Sequence, residues 1–293
     1  VTSKALATAL VACALSAAAC GATANGASTG SVQNGGFASP AKDTAADFAS
    51  PAKEAGTDSA PPAASPAAGT NVQAKVLSGK VVVIDPGHNG GNYRDTAAIN
   101  KKVNVLTQWK ACDTTGTSTN DDYSEAAFTW DVSQRLAKIL KSRGATVKLT
   151  RTDNTGVGPC ITQRAAIGNK AKADAAISIH ADGAPAADHG FHVIMPKKIK
   201  GPVDPVVGAS KRLGVDVRDA FRSGTGIPYS TYIGSKALNY RSDLGGLNLS
   251  TVPKIFIECG NMRNAKEAAE FQRPAFRQKI ALSLANGLQN YLK

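Results

Sequence analysis

The sequence predicts an α/β fold, a single three-layer domain in which a mostly parallel twisted sheet is covered by helices on both faces. Two observations lead there. Short β-branched apolar runs alternate with stretches whose apolar residues recur at helical spacing. The segment carrying this alternation, 75–293, is a normal size for one domain with one sizeable core.

Lys80 to Ile84 is a β-branched run bounded by Gly79 and Pro86, the pattern of a buried strand. Ser124 has the character of a helix N-cap. Phe128, Val132, Leu136, Ile139 and Leu140 then form one apolar stripe that ends at Gly144. A strand over Ala145 to Thr150, a helix over Thr162 to Lys172 and strands over Ala175 to His180 and Gly190 to Met195 follow. Asp204-Pro205 opens another helix, closing near Gly224. Lys254 to Cys259 is a further strand, and helices begin at about Asn264 and Pro274. In the last, Phe276, Ile280, Leu282, Leu284 and Leu288 are available for packing.

The first 74 residues read differently. Lys4 precedes an apolar run from Ala5 to Ala19 that is too short to span a membrane and matches a secretory signal over 1–20. Its end, Ser16-Ala17-Ala18-Ala19-Cys20-Gly21, resembles a bacterial lipobox with Cys20 as the lipidated residue. The same poly-Ala stretch also satisfies an ordinary Ala-x-Ala cleavage site. Residues 21–72 hold 15 Ala, 7 Gly, 6 Ser, 5 Thr and 5 Pro, a composition that cannot bury a core, so 21–74 is expected to be a disordered tether. Its root-mean-square span would be roughly 40 Å. Export to the cell envelope is the expectation, either as a lipoprotein anchored through Cys20 and facing the wall or as a secreted monomer.

Three cysteines remain beyond the signal, without the spacing of a zinc ribbon or a redox pair. Cys112 and Cys160 lie in polar, turn-rich stretches and Cys259 in an apolar strand. A Cys112–Cys160 disulfide with a buried Cys259 thiol follows. The bridge would pin the long loop before the Ser124 helix.

The chain carries a formal net charge of +12, and all of the excess lies beyond residue 72. A basic domain suits a polyanionic partner. Nucleic acid is not expected, because aromatic platforms and helix-turn-helix or RNA-binding motifs are absent and the chain reads as exported. An anionic cell wall fits better.

Ligands of such sheets gather beyond the carboxyl ends of the strands. Of four histidines, His88 and His180 end strands. Glu125 stands in the first turn of the Ser124 helix, on its core-facing stripe, where an ionised carboxylate must be paired or bound to metal. His88, Glu125 and His180 make a His₂Glu set, the three-ligand arrangement of catalytic zinc. Glu258 ends the apolar strand Ile255-Phe256-Ile257 and is placed to act as general base and then acid.

These residues carry a family resemblance. Val81 to Gly91, the Glu125 helix, Leu149 to Asp153, Arg164 to Asn169, Ala173 to Asp182 and Val252 to Asn264 resemble the zinc-dependent N-acetylmuramoyl-L-alanine amidases of the type 3 class. Leu244 to Leu249 further resembles the small mycobacterial-type members. The resemblance implies an amidase-like fold, Zn²⁺ held by His88, Glu125 and His180, Glu258 as the catalytic carboxylate, and peptidoglycan or muropeptide fragments as substrate. Two features depart from the family pattern: Asn89 precedes the paired glycines after His88, and His192 stands where a small or acidic residue is usual. His192 is either a wall of the cleft or an inert strand residue.

Two other readings compete. A wall-peptide carboxypeptidase of similar fold usually pairs a His and a Glu a few residues apart, unlike His88 and Glu125. A non-enzymatic wall-binding or regulatory protein would not need all four chemical residues. The stretches 100–122 and Gly224 to Gly246, long and rich in turn residues, are candidates to gate the cleft.

Overall fold

The computed structural model describes residues 75–293; the expected signal, Cys20 and the tether lie outside the described residues. Strand β1 (Val81–Pro86) is followed by the short helix α1 (Thr96–Asn100) and a small hairpin of β2 (Lys102–Asn104) and β3 (Trp109–Ala111). Helix α2 (Glu125–Ser142), β4 (Thr146–Leu149), α3 (Ile161–Lys170), β5 (Ala175–Asp182) and β6 (His192–Pro196) come next. The chain continues through α4 (Val207–Thr225), β7 (Leu238–Arg241), α5 (Gly245–Asn248), β8 (Lys254–Asn261), α6 (Ala265–Gln272) and α7 (Pro274–Leu292). Every predicted strand and helix is present. The hairpin, β7, α1 and α5 were not predicted.

One six-stranded sheet runs in the order β4-β1-β5-β8-β6-β7. Strands β4, β1, β5 and β8 are mutually parallel, whereas β6 lies antiparallel to β8 and β7 parallel to β6. Loop length accounts for the reversal. Residues 183–191 are too few for the crossover of about a dozen residues or more that a parallel return needs. Strand β6 therefore starts at the end of the sheet where β5 finishes. Helix α4 then supplies a full crossover, and β7 joins β6 in parallel.

Alternation along the strands divides the sheet into two faces. On one, Val82, Ile84, Ile177, Ile179, Ile255, Ile257, Cys259 and Val193 pack with Phe128, Val132, Leu136 and Leu140 of α2, Leu213, Val217 and Phe221 of α4 and Ile280, Leu284 and Leu288 of α7. The stripe read for α2 is the one buried. On α7 the stripe is narrower than expected: Leu282 is 45% exposed, because at 3.6 residues per turn it points away from the face shared by Ile280, Leu284 and Leu288.

The second face is covered only in part. Val83, Ala176 and Val252 pack with Ile167 of α3, and α5 is a single turn. On the same face, Lys254 opens β8 and the carboxyl ends of the strands carry Asp85, Ser178, His180 and Glu258, with Phe256 the one large apolar side chain among them. Cys112, just after β3, is disulfide-bonded to Cys160 at the start of α3, which ties the segment between the hairpin and α2 to the helix on this face. Cys259 is a buried free thiol.

Candidate metal centre and its surroundings

Parallel pairing sets the carboxyl ends of β1, β5 and β8 side by side. His88 lies two residues beyond β1, His180 is within β5, and Glu258 of β8 is the cross-strand partner of His180. Ser124 caps α2 by accepting a hydrogen bond from the Ala127 amide, and Glu125 opens that helix directly above the strand ends. One nitrogen of each histidine and one Glu125 oxygen all lie within 4.8 Å of one another. His88 Nε2 is 3.1 Å from Glu125 Oε2, and His180 Nδ1 is 2.9 Å from Oε1. The Thr117 and Ala181 amides donate to the same carboxylate.

His88 sits at φ 59, a left-handed backbone that costs a non-glycine residue on the order of 1–2 kcal/mol. Two buried arginines hold it there. Arg164 donates to the carbonyls of Pro86 and His88 and pairs with Asp85 at 3.0 Å and Asp113 at 3.0 Å. Arg151 donates to the carbonyls of Pro86, Gly87 and Ala126, joining the β1 turn to the first turn of α2. His88 and Glu125 are thus braced against each other through main-chain carbonyls. Glycine is required beneath them: a Cβ at Gly87 would enter the His180 ring, and one at Gly116 would lie 2.7 Å from Glu125 Oε2.

Electrostatics suit a cation. Burial opposes a charge on His88, but the Glu125 and Asp113 carboxylates outweigh it and raise the imidazole pKa to about 10. Burial raises Glu125 in turn, and the two histidines more than reverse it, holding the carboxyl well below its ordinary range. His88 Nδ1 lies 3.0 Å from the Thr114 carbonyl. A carbonyl only accepts, so Nδ1 carries the proton and the Nε2 lone pair faces Glu125. A lone pair against a carboxylate is stable only with an added proton or a cation between them. The donor set fits a metal ion: two imidazoles, one carboxylate, and an outer hydrogen bond that fixes the tautomer.

Glu258 is half-buried beside His180. Burial, with the Asp182 and Glu125 carboxylates, raises its pKa well above the usual value, and among the described residues no donor hydrogen-bonds its side chain. His192 is the cross-strand partner of Glu258 on the opposite side. It is buried, 3.5 Å from Asp182, and burial lowers its pKa. Tyr232 donates to Asp182 at 2.6 Å. His189 is half-buried and is not among the clustered donors.

One pocket is lined by His88 and His180, and a second by residues next to His88 and Glu125 in sequence. The first, of about 200 Å³, runs under β3 and α5 between Ala111, Ile161, Leu244 and Phe256. The other, of about 410 Å³, is more polar and is lined by Asn89, Tyr93, Thr117, Ser118 and Arg263. A larger groove, of about 950 Å³, lies along α6 and the start of α7 and holds neither the donors nor Glu258. The stretches 100–122 and Gly224 to Gly246 supply part of the first pocket's wall. Lys110 of β3 is paired with Asp243 at 3.3 Å.

Asp85, Asp113, Arg151, Thr114, Ser178 and Lys254 escaped the reading of the sequence as site residues. For Asp85, Ser178 and Lys254 the signal was a charged or polar residue inside an apolar strand, as with Asp85 after four β-branched residues and Lys254 opening β8; Asp113, Thr114 and Arg151 lie outside the strands and carry no such signal.

Known proteins are similar to this chain in sequence and in fold. Residues 82–290 match the N-acetylmuramoyl-L-alanine amidase family. The chain is 39% identical over 218 residues to the N-acetylmuramoyl-L-alanine amidase Rv3717 of Mycobacterium tuberculosis, covering 74% of this chain and 88% of that protein. Probable cell wall amidase LytH of Staphylococcus aureus is 26% identical over 219 residues, 73% of this chain and 59% of that protein. Among solved structures, the amidase Ami1 of Mycobacterium smegmatis superposes with a TM-score of 0.70 at 38% identity, covering 74% of this chain and 98% of that one. The apo form of Ami1 from Mycobacterium abscessus gives 0.70 at 41% identity, covering 74% and 100%. With the matched region spanning the sheet, the three clustered donors and Glu258, the chain belongs to the N-acetylmuramoyl-L-alanine amidase family.

Proposed function

We propose that this protein is a zinc-dependent hydrolase that cleaves the amide between N-acetylmuramic acid and the L-alanine of peptidoglycan stem peptides. The observation that carries the reading is the convergence of His88, Glu125 and His180 on one point with Glu258 one strand away, in a chain of this family. Imidazole and carboxylate donors suit zinc. When bound, zinc supplies a Lewis acid that polarises the scissile carbonyl and acidifies water.

The residues of the chain do the rest. Glu258, whose carboxyl is pushed upward by burial and by the Asp182 and Glu125 carboxylates, takes the proton of the attacking water and delivers it to the leaving L-alanine nitrogen. Among the described residues no donor holds its carboxylate, so that proton exchange competes with no hydrogen bond from them. The two separate pockets by the donors give the glycan and peptide arms of the substrate different places to lie. Strand β6 and His192 close the side of Glu258 away from the donors.

The protein is further read as an exported monomer of the cell envelope, anchored through lipidated Cys20 or secreted. The signal-like segment, the Cys20 sequence and the cell wall relative support this reading.

The test is incubation with purified sacculi and with muropeptides, with and without zinc, followed by mass spectrometry. Free stem peptides beginning with L-alanine are expected. Loss of a terminal D-amino acid would point to a carboxypeptidase, and stoichiometric zinc without hydrolysis to a binding protein.

A further inference from the structure

His180 is gripped from a direction the proposed chemistry does not use. Its Nδ1 faces Glu125, while Nε2 points down the sheet face to Ser178 Oγ at 3.2 Å. Ser178 Oγ lies 2.9 Å from Asp85 Oδ2 and 3.3 Å from the Asp85 carbonyl. Asp85 is buried, and Lys254 Nζ at 2.9 Å and Arg164 at 3.0 Å flank its carboxylate. Thr150 donates to it at 2.6 Å. These donors outweigh burial and keep Asp85 ionised, far below the ordinary carboxylate range.

Proton counting then decides the direction of each bond. Neither the Asp85 carboxylate nor its carbonyl can donate, so the single hydroxyl proton of Ser178 must point at Asp85. Turned the other way, an oxygen lone pair would face a buried anion at 2.9 Å. With that proton committed, Ser178 Oγ offers only lone pairs to His180. Nε2 must therefore carry a proton, and Nδ1 presents its lone pair to the site. The ring's plane is fixed as well: it stacks on Phe256, with centroids 5.3 Å apart and planes 11° apart, and Gly87 leaves it room.

We propose that Ser178, oriented by the buried Asp85, is a positioning residue for His180: it holds the imidazole with its proton on Nε2 and so commits Nδ1 to the donor cluster. This rests on reading His88, Glu125 and His180 as the metal donors. It also gives the buried ions Asp85 and Lys254 a task at the site, although neither is paired with a donor side chain.

The experiment uses the full chain, stripped of metal and titrated with zinc against a chromogenic chelator. Alongside it, nitrogen-15 imidazole spectra of the zinc-loaded parent report which nitrogen of His180 bears the proton. The spectra are expected to show an exchange-protected proton on Nε2. Ser178→Ala is expected to weaken zinc binding roughly 10- to 100-fold and Ser178→Thr, which keeps the hydroxyl, to recover to within about threefold of the parent. Zinc held through Nε2, or affinity in Ser178→Ala within about twofold of the parent, overturns the proposal. The spectra of the parent decide the matter by themselves if Ser178→Ala does not fold. A parent that takes up no zinc removes the metal-site reading and this proposal with it, a result distinct from either of the other two.

Discussion

Replacing Arg164 by Met keeps much of the side-chain volume and removes the charge. In the parent, Arg164 is 4% exposed and pairs with Asp85 and Asp113 while donating to the carbonyls of Pro86, His88 and Pro159. Arg164→Met leaves Asp113 with His88 as its main partner and Asp85 with Lys254. Breaking a buried ion pair from one side costs about 3–5 kcal/mol. For a domain of this size each kcal/mol moves the melting temperature by about 2–4 °C, so a fall of roughly 6–20 °C is expected in metal-free protein at pH 7. The gap should depend on pH. Both aspartates have depressed pKa values in the fold, so their contribution is fully present above the unfolded value, about 4, and is lost as pH falls through the lower folded values. Calorimetry of parent and variant should therefore show a constant gap from pH 7 to about 5 that narrows below about 4. A gap under about 2 °C at pH 7, or one that widens in acid, would refute the reasoning.

Glu258→Gln is expected to lower turnover of muropeptides by about 10²- to 10⁴-fold while zinc affinity stays near that of the parent, measured by chelator competition. Turnover close to the parent's would remove Glu258 from its role. In metal-free protein, the folded pKa of His88 is raised from 6.5 to about 10. Its stabilising contribution is therefore complete below about 6.5 and is lost as pH rises toward 10. Melting temperatures in EDTA should fall across that window, and a rising trend would count against the His88–Glu125 pairing. Breaking the Cys112–Cys160 bridge, which closes a loop with a sequence separation of 48, is expected to cost about 4 kcal/mol by the chain-entropy relation. Unchanged denaturant midpoints for Cys112→Ser/Cys160→Ser would contradict that figure.

The parts legible in the sequence are those in which local pattern and long-range environment agree. Val81 to Ile84, the α2 stripe and Ile255 to Ile257 are apolar at their own period and are buried at that period. His88, His180 and Glu258 were legible because strand ends are predictable and polar residues there are conspicuous. The hairpin was not: Lys102-Val103-Asn104 has no apolar alternation, and its place depends on the Cys112 bridge and on the Lys110–Asp243 pair, 133 residues apart in sequence. Strand β7 is specified by its pairing with β6 rather than by its own residues, and β6 runs antiparallel because of a loop length rather than a sequence motif. Arg164 and Arg151 appear in the sequence as ordinary helix and strand-end residues. Their work is donation to main-chain carbonyls far along the chain, which no local pattern records.

This division has a physical origin. The sheet face under α2, α4 and α7 is sealed, so its residues are chosen by volume and hydrophobicity and announce themselves. The opposite face is roofed by α3 and the single turn of α5, and its open end needs side chains that are rigid yet polar. A packed aliphatic layer would give rigidity without donors, and loose polar residues would give donors without rigidity. Asp85, Lys254, Arg164, Thr150 and Ser178 meet both demands by satisfying one another. Buried ions add little net stability when their desolvation is counted. What they add here is direction: Lys254, Arg164, Thr150 and Ser178 all donate to Asp85, and Ser178, with its proton so committed, accepts from His180 Nε2, one atom across the ring from the nitrogen that faces Glu125.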